Sequence, residues 1–387
     1  MRLEGMKNFT FWLPPVIEFG CGSRSLLSKY LDRYQVTKPL FICDPGILNL
    51  PIIKEVLNSV QNSALWSDVI PNPTDFEVDA ASAVFKEKRC DGVIGLGGGS
   101  AMDVAKGVAI MAAHDAESFA DFTPPMWRKV EGIGTLILIP TTSGTGAEAN
   151  PWAMIGNSKT KIKDVGYDAS QMIGAQKVAL VDPELTVSMP PKLTAISGMD
   201  AFCQALECFV SETTNPISDA IALHAIEIAS AMLPRAFHRG NDLEAREGMA
   251  LVALMSTIAF PNAGLNFPHQ MSTAFYDLWG FDHGLAVAVT ARASMEYLIP
   301  FKTKRLARVA SAMGVAGFGL SERELAEEAV GAIGRLFEDV RIPTLREALN
   351  GKVEKIDDLV EHLGKNPPPQ GTPISVLEEI LRRSVEF

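Results

Sequence analysis

The sequence predicts an α/β N-terminal domain with a parallel, doubly wound sheet, followed by an all-α C-terminal domain. Between about residues 17 and 185, short apolar runs rich in β-branched residues alternate with helical stretches. Such alternation, with strands that are apolar throughout, is typical of a parallel sheet covered by helices on both faces. Beyond "MPPKLTAISG", strand-like runs nearly vanish. We therefore predict a boundary near residue 189, between domains 1–189 and 190–387.

Four strands are predicted in the first domain, in chain order "PLFICD" (39–44), "DGVIGLG" (91–97), "TLILIP" (135–140) and "VALVD" (178–182). Helical patterns such as "AMDVAKGVAIMAAH" separate them, as the crossover connections of a parallel sheet require. In the second domain, helical patterns include "PISDAIALHAIEIASAMLPRAF", "SERELAEEAVGAIGRLFEDV" and "ISVLEEILRRSV". "KNPPPQGTP" (365–373) predicts a loop before the last helix, because proline cannot extend a helix.

Charge and composition narrow the classes of partner. The 387 residues carry a net charge of −11, and no run of Lys and Arg is long enough to follow a phosphate backbone, so nucleic acid is not expected. We expect no membrane span of about 20 apolar residues. The start, "MRLEGMKNFTFWLPP", lacks a signal-peptide pattern, which favours a cytoplasmic protein. The five cysteines lack CxxC spacing, which favours reduced structural thiols.

Two Gly-rich turns follow predicted strands. In "GLGGGSAMDVAK", Gly97, Gly98 and Gly99 allow close approach of the backbone, and the amides of the next helix favour an anion such as a pyrophosphate. In "PTTSGTGAE", hydroxyls can bind phosphate or ribose; they belong to Thr141, Thr142, Ser143 and Thr145. Neither segment is a GxGxxG or P-loop motif, so each alone is also compatible with a plain turn.

Asp44 ends another strand, where its carboxylate can accept both hydroxyls of an adenosine ribose. Asp44 is followed by Pro and Gly, so its alternative role is simply to start a turn. Ligands of α/β proteins bind beyond the carboxyl ends of the strands of one sheet. Taken together, Asp44 and the two turns predict a dinucleotide site, and the carboxylate disfavours the extra phosphate of NADP.

Two pairs of polar residues in the second domain are candidate metal ligands. Asp200 and Gln204, in "SGMDAFCQALECF", are spaced to lie on one face of a helix, where two ligands could close on a metal. His269 and His283 are fourteen residues apart, which on one straight helix separates them by roughly 21 Å. The Gly-centred segment 279–282 offers a turn that would let both imidazoles reach one point.

These motifs resemble the iron-containing (group III) alcohol dehydrogenases. The resemblance rests on "PNPT", "GLGGGSAMDVAK", "PTTSGTGAE", "VDPELTVSMPPKLTAISGMDA" and the spaced His269 and His283, and it runs nearly end to end. It implies the dehydroquinate-synthase-like fold, with NAD and a divalent metal meeting between a dinucleotide-binding α/β domain and a helical domain. It also implies a homodimer or larger assembly.

Carried over by position, the resemblance implies a role for each site residue. Asp44 would hold the adenosine ribose, and the other implied cofactor contacts are Asn72, Gly98, Gly99, Ser100, Asp103, Thr141, Thr142, Thr145 and Lys161. The implied metal ligands are Asp200, His269 and His283, with Gln204 in place of the usual second ligand, a histidine. Thr273 stands where the family has another histidine, so Thr273, a cofactor hydroxyl or water would pass on the proton.

The altered ligand set bears on which metal is bound. Asp200, His269 and His283 match the three-ligand zinc site of the related glycerol dehydrogenases, with water completing the shell. Gln204 could add a weak amide oxygen or orient a metal-bound water, and Cys203 could instead supply a thiolate. We expect zinc in preference to iron, and protein that is purified partly or wholly empty of metal.

The resemblance implies reversible hydride transfer between NAD(H) and a small primary alcohol or aldehyde, with the metal as Lewis acid. One alternative is a lyase or cyclase of the dehydroquinate synthase type, which uses NAD transiently. Another is a binding or assembly protein with a decayed metal site, suggested by Gln204.

Overall fold

The computed structural model describes residues 8–13, 15–123, 128–130, 132–159 and 177–387. Lys161, one of the predicted cofactor contacts, lies outside them. The chain divides into two compact units. The first is formed by Trp12–Thr142 and Gly146–Ser188, and the second by Met189–Phe387 together with Ser143–Thr145 and the described residues before Trp12.

The described residues of the first unit form a six-stranded parallel sheet with the order β1-β6-β5-β4-β2-β3. The strands are β1 (Val16–Phe19), β2 (Pro39–Cys43), β3 (Ala64–Trp66), β4 (Gly92–Gly97), β5 (Leu136–Pro140) and β6 (Lys177–Val181). The four predicted strands are thus confirmed, each within a residue or two. The edge strands β1 and β3 were not predicted, because runs of four and three residues are too short to show a pattern.

Helices cover both faces of the sheet. They are α1 (Leu27–Arg33), α2 (Pro51–Asn58), α3 (Asp75–Glu87) and α4 (Gly99–Ala113). Along β2, Phe41 faces a core shared with α1 and α2, whereas Leu40 faces a core shared with α3 and α4. The helices that follow the adjacent strands β2 and β4 therefore lie on opposite faces. The carboxyl ends of these two strands form a topological switch point, where α/β sheets bind ligands.

The second unit is helical in its described residues. Its helices are α5 (Pro191–Val210), α6 (Pro216–His238), α7 (Leu243–Ala263), α8 (Phe267–Trp279), α9 (His283–Ala312), α10 (Glu322–Asp339), α11 (Leu345–Ala348), α12 (Lys355–Lys365) and α13 (Ile374–Ser384). The predicted fold class is confirmed. α9 is interrupted at Lys302, whose φ of −130° is not helical. The main core of this unit includes α5, α6, α7, α9 and α10.

Two of the described helices, α5 and α6, are long and apolar enough to cross a membrane, judged by length and composition alone. A third candidate arises if α7 and α8, bent by 104°, are counted as one span. The expectation that no segment reaches this length was therefore wrong. Within the structure, 83% of the most apolar stretch of α5 is buried, against 33% for α6. For α5, packing in the core of the unit accounts for the apolar composition.

Candidate functional site

α5 supplies three polar side chains to the interior of the helical unit. Asp200, Gln204 and Glu207 are all buried, although α5 is otherwise largely apolar. Spacings of four and seven residues correspond to about one and two helical turns, so the three side chains share one face. A buried carboxylate is costly unless it finds partners, which makes this face a candidate site.

A short turn joins α8 to α9 and brings two histidines together. α8 ends at Trp279, and Gly280 follows with a φ of 67°, a left-handed conformation that favours glycine. α9 then begins at His283, directly after its N-cap residue Asp282. The predicted turn is thereby confirmed. The ring centroids of His269 and His283 lie 5.3 Å apart, at an interplanar angle of 64°.

The ligand atoms of Asp200, His269 and His283 all lie within 4.8 Å of one another. Asp200 Oδ1 is 3.4 Å from His269 Nε2 and 3.7 Å from His283 Nε2. A tetrahedral zinc ion with bonds of about 2.1 Å has ligand atoms about 3.4 Å apart. Among the described residues, buried Asp200 Oδ1 and His269 Nε2 have no hydrogen-bond partner. The set therefore fits a divalent metal ion, which would satisfy both atoms.

Glu207 holds the ring of His269 from the side opposite the ligand cluster. Its Oε1 accepts a hydrogen bond from His269 Nδ1 at 2.6 Å, and its side chain is fully buried. Burial by itself lowers the pKa of His269, but the negative charges of Glu207 and Asp200, with the hydrogen bond to Glu207, outweigh it and raise that pKa to about 10. Burial acts on Asp200 too, raising its pKa, yet His283 and His269 together leave it lowered.

Sequence reasoning missed Glu207. The available signal was its position seven residues after Asp200, in the same apolar run as the predicted ligands. An acidic residue at that spacing shares the helix face of Asp200. Its partner, 62 residues away, could not be identified from spacing.

Gln204 and Cys203 lie next to the cluster on α5. Gln204 Oε1 accepts a hydrogen bond of 2.8 Å from Ser256 Oγ on α7, so this amide already has a protein partner. A ligand role for Gln204 stays a prediction. Burial, with the charges of Glu207 and Asp200, raises the pKa of the Cys203 thiol well above its usual range. A thiolate ligand at Cys203 is correspondingly disfavoured.

Thr273 lies on α8, one helical turn after His269, and its side chain is exposed. The i, i+4 spacing places it on the same face of the helix as His269. A hydroxyl there can both donate and accept a hydrogen bond. Its position is compatible with the predicted part in proton transfer, which stays a prediction.

In the α/β unit, the two Gly-rich turns lie side by side. β4 and β5 are adjacent, and Thr141 N donates to Gly97 O at 2.9 Å. A side-chain carbon added to Gly98 would lie 3.5 Å from Thr142 Cγ2. α4 begins immediately after Gly98 and has no side-chain cap, so its first N–H groups remain available to an anion.

Asp44 stands next to these turns at the switch point. A side-chain carbon added to Gly97 would lie 3.2 Å from Asp44 Cβ. Asp44 Oδ1 accepts from Gly46 N at 2.8 Å, so the turn-starting role is real. The second carboxylate oxygen can still face a ligand, and the two interpretations of Asp44 are compatible.

The remaining predicted contacts are distributed around this end of the sheet and beyond it. Ser100 lies in the first turn of α4, and Asp103, one turn further on, is buried. Asn72 precedes α3 and has a φ of 54°. Thr145 falls within the second unit. The structure thus brings Asp44, Gly97, Gly98, Thr141 and Thr142 together, while the contribution of the others stays a prediction.

A buried lysine, which sequence reasoning also missed, anchors the segment after the hydroxyl-rich turn. Lys106 Nζ on α4 donates to Asn150 Oδ1 at 3.0 Å and to Trp152 O at 2.5 Å. It also lies 3.4 Å from Asp103 Oδ1. Burial lowers the pKa of Lys106, and the charge of Asp103 opposes that shift. The lysine fixes α4 against the chain that follows the second turn.

Two family models match nearly the whole chain. Residues 14–183 match "Iron-containing alcohol dehydrogenase", and residues 194–382 match "Fe-containing alcohol dehydrogenase family, C-terminal". The chain belongs to the iron-containing alcohol dehydrogenase family. The resemblance inferred from the motifs is therefore confirmed.

Relatives of this alcohol dehydrogenase family member are similar over almost all of its length. It is 33% identical over 388 residues to choline dehydrogenase of Bacillus subtilis (strain 168), covering 98% of this chain and 95% of the relative. It is 30% identical over 380 residues to NAD-dependent methanol dehydrogenase of Bacillus methanolicus, covering 96% and 97%.

A solved structure extends the comparison to the fold. Sulfoacetaldehyde reductase from Bifidobacterium kashiwanohense, in complex with NAD+, aligns with a TM-score of 0.87 at 27% identity, covering 98% of this chain and 100% of that one. All three relatives carry dehydrogenase or reductase names. The predicted oxidoreductase function is confirmed, and neither the cyclase nor the binding-protein alternative gains support.

Proposed function

We propose that the protein transfers a hydride between NAD(H) and a small primary alcohol or aldehyde, with a divalent metal held by Asp200, His269 and His283. The observation that carries the proposal is the convergence of these three side chains. Asp200 Oδ1 and His269 Nε2 are 3.4 Å apart, buried, and without a hydrogen-bond partner among the described residues. Bound metal would act as a Lewis acid on the alcohol or carbonyl oxygen, and NAD would accept or give the hydride.

The three ligands suit zinc in preference to iron. One carboxylate and two imidazoles, with a fourth position left to water, are the donor set of a catalytic zinc site. The side chain of His283 is 40% exposed, whereas those of Asp200 and His269 are 4% and 9% exposed. The exposed side of the cluster, next to His283, is where a substrate oxygen could enter.

In the α/β unit, the residues at the switch point support NAD as the cofactor. The free N–H groups at the start of α4 would bind the pyrophosphate, and Thr141 and Thr142 would add hydroxyl contacts. Asp44 would accept the hydroxyls of the adenosine ribose. Contacts from Asn72 and Lys161 rest on the family resemblance, as do those from Gly99, Ser100, Asp103 and Thr145.

Thr273 is proposed to help pass the alcohol proton to solvent. Its hydroxyl lies one turn after His269 on α8 and is exposed, so a proton received there has a path to water. Replacing Thr273 with Ala removes that hydroxyl, while Thr273→Ser keeps it. Only the Ala variant should show a lower turnover rate in the NADH assay.

The proposed substrate is a class of compounds, small primary alcohols or aldehydes, and not one named molecule. The three relatives are named for choline, methanol and sulfoacetaldehyde, whose charges differ although each presents an alcohol or aldehyde group. The shared feature is the reacting carbon. A panel of short aldehydes that includes neutral, cationic and anionic members, assayed with NADH, would identify the preferred charge.

Metal-stripped protein, reloaded with zinc or iron and analysed by elemental analysis and by the NADH assay, tests the proposal. Wild type should bind one divalent ion per chain and be active only when loaded. His269→Ala should lose the ion, and Gln204→His, which restores the fourth family ligand, should hold it more tightly. Metal uptake by Gln204→His but not by wild type would show that the site has been lost. If His269→Ala binds the divalent ion as tightly as wild type does, the ligands are misassigned.

Three further proposals concern domain organisation, location and assembly, of which the assembly rests on the family resemblance alone. We propose that the boundary between the cofactor and metal domains lies near residue 189 of the chain, with 1–189 binding the dinucleotide and 190–387 the metal, a division supported by the two compact units. We also propose that the protein is cytoplasmic and forms a homodimer or larger assembly. Light scattering coupled to size-exclusion chromatography measures the assembly directly.

A further inference from the structure

Glu207 is a buried charge for which the proposed reaction has no use. Its side chain is fully buried on α5, and it accepts three N–H groups. Oε1 accepts from His269 Nδ1 at 2.6 Å, and Oε2 accepts from the backbone N of Asn266 at 2.8 Å and of His269 at 3.3 Å. Both backbone groups belong to the start of α8. One carboxylate therefore fixes both the main chain and the ring of His269.

The hydrogen bond to Glu207 determines which ring nitrogen of His269 carries a proton. An ionised carboxylate can only accept, so Nδ1 must be the protonated nitrogen. In the neutral ring that binds a metal, that proton stays on Nδ1, and the lone pair of Nε2 lies on the side that faces Asp200 and His283. With the opposite tautomer, a hydrogen would point into the ligand cluster and Nε2 could not bind a metal.

We propose that Glu207 is a positioning residue for the metal centre, holding His269 in the tautomer and orientation in which Nε2 can bind the ion. The proposal rests on the proposed function. Glu207 also adds negative charge behind a metal ligand, which strengthens an imidazole donor. That contribution matters more here because Gln204, a neutral amide, stands where the family has a fourth ligand.

Glu207→Gln separates this role from simple packing. The glutamine amide has nearly the same shape as the carboxylate but only one acceptor oxygen. It therefore cannot accept hydrogen bonds at both of the positions that Oε1 and Oε2 occupy in Glu207. If its oxygen keeps the backbone N–H groups of α8, its NH₂ group faces His269 Nδ1. His269 would then carry its proton on Nε2, and the metal would lose a ligand.

The first test is zinc affinity, measured by competition with a chromophoric chelator. Loss of a carboxylate that hydrogen-bonds a metal-binding histidine typically costs about 10- to 100-fold in metal affinity. Glu207→Gln should therefore bind zinc more weakly by about that factor. Cys208→Ala is the matched control, because Cys208 is equally buried and is the next residue on α5. It should bind zinc as wild type does. The melting temperatures of the metal-free forms show whether either variant is misfolded.

The second test uses wild type alone and so does not depend on a variant that folds. In zinc-loaded protein labelled with ¹⁵N-histidine, long-range ¹H–¹⁵N spectra should show His269 protonated at Nδ1 and metal-bound at Nε2. Zinc on Nδ1, or Glu207→Gln with wild-type affinity, overturns the positioning role alone. Wild type that takes up no zinc overturns the proposed function, and this inference with it.

Discussion

At the scale of single residues, Asp44 is expected to select the cofactor. It stands at the end of β2, close to Gly97, and its carboxylate is held by Gly46 N. A 2′-phosphate placed about 4 Å away would be repelled by at least about 1 kcal/mol, or about fivefold in affinity. We predict tighter binding of NADH than of NADPH in fluorescence titrations, and a reduced preference in Asp44→Gly. Equal or tighter binding of NADPH by wild type would contradict this role.

His269 should make the stability of the metal-free protein depend on pH. Its pKa is raised from 6.5 to about 10 by Glu207 and Asp200, against the opposing effect of burial. A raised pKa means that the folded state binds the proton more tightly than the unfolded state. The resulting stabilisation is fully present below pH 6.5 and is lost as the pH rises through about 10.

This pH dependence can be measured as a difference between two proteins. The melting temperature of chelator-treated wild type is compared with that of His269→Gln, which cannot titrate at this position. We expect the advantage of wild type to shrink between pH 6.5 and pH 10. A constant difference across that range would show that the proton on His269 does not stabilise the fold.

At the scale of helices, the close approach of α9 to α5 depends on a glycine beside a ligand. A side-chain carbon on Gly284 would lie 2.4 Å from Ile196 O, a backbone atom of α5. Gly284→Ala must therefore push the start of α9, with His283, away from Asp200. Overpacking of this kind typically costs about 1–3 kcal/mol. We predict lower stability in urea and weaker zinc binding.

Gly364→Ala is the matched control for this substitution. Gly364 lies in α12, and a side-chain carbon there would meet no atom of the described residues within 4 Å, apart from its neighbours along the helix. Alanine in a helix loses less conformational entropy on folding than glycine does. The control should be neutral or slightly stabilised, with unchanged zinc affinity. A loss of zinc affinity in both variants would indicate a general effect of the substitution.

At the scale of the whole molecule, zinc should raise the melting temperature. A ligand that binds only the native state stabilises it by about 4 kcal/mol when present at a thousand times its dissociation constant. We expect a shift for wild type in scanning calorimetry and none for His269→Ala. A shift of equal size in both proteins would place the stabilising ion elsewhere in the chain.

Local pattern was enough to predict the architecture, and the family resemblance implied most of the candidate site. Period-two and period-3.6 patterns revealed four strands and the principal helices, because these periods follow from backbone geometry. The Gly-rich turns could be placed at strand ends, and the structure sets Gly97 beside Thr141. The ligand set Asp200, His269 and His283 was implied by the family resemblance, and the turn at Gly280 was the condition for the two histidines to converge.

The sequence alone determined which residues could bind a cofactor and a metal, since residue type and local spacing are written in it directly. Only the tertiary structure decided what those residues contact. His269 meets Glu207, 62 residues away, and Gln204 meets Ser256, 52 residues away. Burial in the core of the helical unit accounts for the apolar length of α5. Such contacts depend on how distant helices pack, and helix packing allows several crossing geometries that the local periodicity of one chain does not distinguish.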